Sequence, residues 1–122
     1  MVGQGAVRQF AGLSVQGTLI ANGTGSQGIQ FTGTTATKGW WDGVSIRGSQ
    51  TAPLTGSSLN FVLIEYGGNS YGNLYLEYAH VTLSNGVLQN SGNDGIWLVL
   101  QGEATFYGEG DNVVAKLGPN DG

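Results

Sequence analysis

Apolar and polar residues alternate along this chain in short runs. They include Leu13-Ser-Val15, Ile29-Gln-Phe31, Val44-Ser-Ile46, Leu74-Tyr-Leu76, Val81-Thr-Leu83 and Ile96-Trp-Leu98. Alternation of this kind puts every second side chain on one face of a β-strand. Gly, Asn, Ser or Asp bounds each run, and these residues favour turns. No window carries a helical period with caps. The pattern predicts an all-β chain of many short strands.

The runs keep step with one another. Val44, Leu74 and Ile96 form one column, Leu59, Leu83 and Phe106 a second, and Ile64, Leu88 and Val114 a third. All three columns advance by roughly two dozen residues, in the same cyclic order. The longest step, from Val44 to Leu74, is absorbed by a polar loop from Arg47 to Ser57, where an insertion costs little. A sandwich of meanders does not require three columns to move together; a stack of coils does. Val44, Leu74 and Ile96 then face inward, as do Ile46, Leu76 and Leu98. Ser45, Tyr75 and Trp97 face outward, with Tyr75 touching Trp97 one coil away. Arg47 and Glu77 are also outward neighbours, within reach of an ion pair.

Several segments are similar to bacterial right-handed parallel β-helix repeat proteins, the pectin-lyase-like solenoids. Leu13-Ser-Val-Gln-Gly-Thr-Leu-Ile-Ala-Asn-Gly-Thr24 with Ile29-Gln-Phe-Thr32 resembles an opening coil. Trp41-Asp-Gly-Val-Ser-Ile46, Ser58-Leu-Asn-Phe-Val-Leu-Ile-Glu-Tyr-Gly-Gly68 and Val81-Thr-Leu-Ser-Asn85 with Gly95-Ile-Trp-Leu98 resemble later ones. The resemblance spans residues 7–106 and implies a right-handed parallel β-helix. The expectation is one domain over 1–122, about four coils of three short strands each, forming a piece of a longer solenoid. Such coils occur in adhesins, surface proteins and carbohydrate-active enzymes, so the fold leaves function open.

Composition narrows the classes. Charged residues make up only 10% of the chain, so Ser, Thr, Asn, Gln and Gly must supply most of the surface. A net charge of −4, with Arg8, Lys38, Arg47 and Lys116 scattered, argues against nucleic acid. Apolar runs are too short to insert in a membrane, and the first residues lack the character of a signal peptide. The absence of Cys removes disulfides and thiolate metal sites.

Catalytic chemistry finds little footing. Gly23-Thr-Gly25-Ser-Gln-Gly28 has dinucleotide-loop spacing, but a strand-like run follows where that motif needs a helix. It reads as a glycine-rich corner. Glu65, Glu77, Glu103 and Glu109, with Asp42, Asp94, Asp111 and Asp121, include no adjacent pair. Glu65 and Glu77 could serve as acid and base only across one groove. The residues that pectin-cleaving relatives need cannot be placed here. Asn93-Asp94, Asp111-Asn112 and Asn120-Asp121 are ordinary Asx turns rather than calcium loops, and His80 is a lone histidine. Asn22-Gly-Thr24 matches a glycosylation sequon by chance. No catalytic residue, metal or cofactor is assigned.

Aromatic residues carry the remaining candidate chemistry. Trp40, Trp41, Trp97, Tyr71, Tyr75 and Tyr107 sit beside polar or glycine residues, and sugar rings stack on flat exposed aromatic faces. Tyr75, Trp97, Trp40 and Trp41 are chosen among them. These four are the candidate glycan-binding residues. The expected function is a non-catalytic structural or interaction module of a secreted or cell-surface protein, with a glycan or surface partner. Two alternatives stand beside it: a glycan-binding or polysaccharide-degrading domain, and a segment that forms homo-oligomers through open solenoid ends.

Overall fold

The computed structural model describes residues 10–105 in full and, as backbone alone, residues 5–7, 106–107 and 114–115. The strands begin with β1 (Gly5–Val7), β2 (Gly12–Val15), β3 (Ile20–Asn22) and β4 (Ile29–Gly33). Next come β5 (Gly43–Arg47), β6 (Leu54–Asn60), β7 (Val62–Glu65) and β8 (Gly72–Glu77). After these run β9 (Ala79–Ser84), β10 (Val87–Gln89), β11 (Asp94–Val99), β12 (Glu103–Tyr107) and β13 (Val114–Ala115). The chain is all-β, with no helix among the described residues.

Every strand pairs in parallel with the third strand before or after it. Three sheets result: β1-β4-β7-β10-β13, β2-β5-β8-β11 and β3-β6-β9-β12. In the second sheet Val44, Leu74 and Ile96 are register partners, as are Ile46, Leu76 and Leu98. Leu13 and Val15 extend both columns by one strand. Leu59, Leu83 and Phe106 align in the third sheet. Val44, Ile46, Ile64, Leu74 and Leu76 are entirely buried, and with Phe31, Leu59, Leu83 and Leu88 they form the core shared by the sheets. Period-two alternation thus buries one face of β4, β7 and β9, and parallel stacking joins the buried faces.

Two expectations need correction. The backbone pairs Leu88 with Ala115 and Val114 with Val87, one residue away from the expected alignment of Leu88 with Val114. Counting along a chain cannot fix register to the residue when the intervening segment varies in length. The polar insertion is also shorter than expected. Ser49 and Ala52 close a turn through reciprocal backbone hydrogen bonds, and β6 starts at Leu54 with a register shift before Ser57.

The corners explain how strands so short can follow one another. Tyr78 and Leu100, which follow the register partners Glu77 and Val99, share a φ of 46°. Phe61 and Asn85, after the partners Asn60 and Ser84, share a φ of 52°. A single left-handed residue redirects the chain, and the turn is repeated in the next rung. The Tyr78 N–H donates to the Leu100 carbonyl at 3.0 Å, carrying the ladder through the corner. Gly43 has a φ of 93°, and a Cβ there would collide with the Gly72 carbonyl oxygen. Only glycine fits that corner.

Candidate binding face

The outward side of the second sheet carries a column of Ser14, Ser45, Tyr75 and Trp97, set by the backbone register. Beside it Arg47, Glu77 and Val99 form a second outward column. Tyr71 stands just before β8 and turns its ring into this array. Its centroid lies 4.6 Å from that of Tyr75, with planes 31° apart, and 5.2 Å from that of Trp97, edge-on at 84°. Tyr75 and Trp97 therefore meet through Tyr71, where direct contact was expected. Both spacings fall in the range of favourable ring pairs.

The Arg47 guanidinium lies over the Tyr75 ring at 4.8 Å and reaches toward Tyr71 at 6.0 Å. The expected ion pair with Glu77 does not form; instead Glu77 Oε1 accepts the Tyr75 hydroxyl at 2.8 Å. Arg47 keeps its side chain on the ring, where cation–π attraction survives partial burial. Burial, and then the hydrogen bond to Glu77, push the Tyr75 phenol up to about 12. Phenolate is disfavoured because it would lose hydration and face a carboxylate.

The cluster divides by exposure. Tyr75 is 7% exposed and works as a floor, whereas Tyr71 is 39% exposed and offers its ring to solvent. Trp97 is half-buried. The other two candidate aromatics are elsewhere. Trp41 is fully buried, its indole N–H donating to the Glu65 carbonyl at 2.8 Å, so it presents no face to a sugar. Apolar area and one satisfied donor make it a core residue. Trp40 is half-buried against the core and donates to Thr34 Oγ1 at 2.9 Å. No ring contact links either tryptophan to Tyr75 or Trp97 among the described residues.

Glu65 and Asp42 are tied to neighbouring rungs. Glu65 accepts from Thr32 at 3.1 Å and from Gln89 at 2.8 Å. Glu65 on β7 and Glu77 on β8 belong to different sheets, each already holding a donor. Asp42 accepts from Asn69 at 3.2 Å. His80 Nε2 lies 2.9 Å from Thr105 Oγ1 and 3.8 Å from Glu103 on the facing strand, a neighbour invisible in sequence order. Among the described residues no three His, Cys, Asp or Glu side chains converge as metal ligands. Glu109, Asp111-Asn112 and Asn120-Asp121 lie outside the described residues.

The glycine-rich segment closes as a turn, Thr24 and Gln27 exchanging backbone hydrogen bonds of 3.0 and 3.2 Å. It feeds strand β4, with no helix to face a phosphate. The turn borders an open cleft of about 240 Å³ lined by Phe61, Leu63 and Val87. No helix of the described residues is long and apolar enough to cross a membrane. No protein-family model, curated protein or solved structure matches this chain.

Sequence reasoning placed Tyr75 and Trp97 on one face, counted Tyr71 among the aromatics without choosing it as a site residue, and gave Arg47 no part in the site. Tyr71 lies outside the alternating run, in the turn Asn69-Ser-Tyr-Gly72, so period-two counting gives it no face. Arg47 was assigned to Glu77 from matching outward positions and opposite charge; the register holds, but the Tyr75 ring takes the guanidinium.

Proposed function

We propose that this chain is a non-catalytic module built as a right-handed parallel β-helix of about four coils. It acts as a stiff support for one binding face in a secreted or cell-surface protein. Pairing of each strand with the third along the chain supports the coiled reading. Right-handedness rests on the general preference of parallel crossovers. Engagement of Glu65 and Asp42 by neighbouring rungs, and of Glu77 by Tyr75 on its own strand, favours a structural use of these carboxylates.

A glycan is the contact best suited to this face, and the observation that carries it is the exposed Tyr71 ring framed by Trp97 and Tyr75. Apolar ring faces with polar rims suit the alternating faces and hydroxyls of sugars. Screening the protein on a glycan array, beside Tyr71→Ala and Trp97→Ala variants, tests it. Binding lost in both variants at unchanged stability supports the reading. An array without signal, or signal unaffected by either variant, removes glycan contact at this face.

Self-association is a second reading, favoured by where apolar residues are exposed. Ile20 on β3 and Leu98 on β11, 56% and 47% exposed, lie on strands at sheet edges. Edge strands leave backbone groups that another chain can pair. Light scattering at micromolar concentration tests it; a strictly monomeric species rules it out.

A further inference from the structure

We propose that the Tyr71 face selects an acidic saccharide and holds it by a single terminal ring, with Arg47 reading the charge. This rests on the reading of that face as a glycan site.

Charge selection follows from the state of Arg47. Among the described residues it enters no hydrogen bond or ion pair: its Nε is sealed from solvent without an acceptor, while the side chain as a whole is half-buried. Its contact with the Tyr75 ring at 4.8 Å holds the guanidinium at this face. A guanidinium so held offers parallel N–H donors that match the two oxygens of a carboxylate or sulfate. A cationic ligand finds the Tyr75 ring already covered by a cation. Glu77 is the one carboxylate in register with Arg47, and its Oε1 is engaged by the Tyr75 hydroxyl. Its charge disfavours an anion beside that hydroxyl, which constrains how the ligand's acid group approaches.

Recognition of one ring follows from the angles. A stretch of sugars along a chain needs successive open ring faces in similar planes. Here Tyr75 is floor rather than platform, and Trp97 stands at 84° to Tyr71. The result is a corner with one open face, Tyr71, and one wall. A single pyranose ring fits this shape, with its acid group directed to Arg47.

Ligand-detected NMR titration of the intact protein decides it, using methyl β-glucuronide, a 6-sulfated methyl glucoside and neutral methyl β-glucoside. The proposal expects the charged glycosides to bind about tenfold more tightly than the neutral one. The carboxylate and sulfate arms separate the two sources of anionic charge. Methyl-esterified glucuronide should bind the wild-type protein like the neutral sugar, a comparison needing no variant. Arg47→Met should erase the difference in affinity between charged and neutral glycosides. Glucuronate oligomers of increasing length should bind with constant affinity per chain end. Equal binding of charged and neutral glycosides overturns the charge selection but leaves the glycan reading intact. Affinity that climbs with oligomer length overturns terminal recognition. Failure of every glycoside to bind overturns the glycan reading itself.

Discussion

Arg47 on β5 and Glu77 on β8 are register partners, yet the guanidinium lies over the Tyr75 ring at 4.8 Å while Glu77 holds the Tyr75 hydroxyl at 2.8 Å. One tyrosine thus touches both charged groups, its π face meeting the cation and its hydroxyl meeting the anion. A direct ion pair at a half-exposed position would contribute little in water.

A double-mutant cycle distinguishes the two arrangements. Arg47→Met combined with Tyr75→Leu should give a coupling of about 0.5–2 kcal/mol. Coupling of Arg47→Met with Glu77→Gln should be smaller. Urea midpoints of the four-protein sets check this, and a larger Arg47–Glu77 coupling would mean an ion pair forms in solution.

Alkaline stability follows from Tyr75. Its phenol is raised from 10.0 to about 12 by burial and Glu77, so the folded state holds the proton more tightly than the unfolded chain. The resulting stabilisation is complete below pH 10 and is lost as pH rises toward 12. The loss is on the order of 2–3 kcal/mol. Tyr75→Phe should show a flatter profile across that window, measured by urea unfolding at stepped pH. Parallel profiles would mean the phenol is not perturbed.

Core and end positions of the same inward columns should differ in cost. Leu74→Ala, at a site with 0% exposure, should destabilise by about 2–5 kcal/mol. Leu98→Ala, at a site 47% exposed, should cost about 1 kcal/mol or less. Equal losses in denaturant midpoint would show that Leu98 is covered in solution.

The corners give a gain and a loss. Leu100, 57% exposed with a φ of 46°, contributes little packing, and Leu100→Gly should stabilise by up to ~1 kcal/mol. Gly43→Ala should lower the thermal midpoint sharply, because the added methyl meets the Gly72 carbonyl oxygen at a φ of 93°. A tolerated Gly43→Ala would mean that corner can open without disturbing β5 or β8.

The inward columns were legible because burial imposes a period on the chain. Val44, Leu74 and Ile96 had to share a face once each lay two residues from another apolar residue and rungs followed at similar intervals. The candidate site was legible only in outline. Tyr75 and Trp97 share a face by the same alternation, but Trp41 sits beside the polar Asp42 in sequence and is buried all the same. No local pattern distinguishes an aromatic that fills a corner from one that decorates a surface.

Sequence by itself therefore determined the strand type, the parallel order and the apolar columns, since these follow from local alternation and repeat spacing. Tertiary structure alone decided that Arg47 chooses Tyr75 over Glu77, that Tyr71 bridges to Trp97, and that His80 meets Glu103. These are contests among several partners that stacking brings within a few ångströms. Their outcome depends on ring orientation and desolvation, which spacing along a chain does not encode.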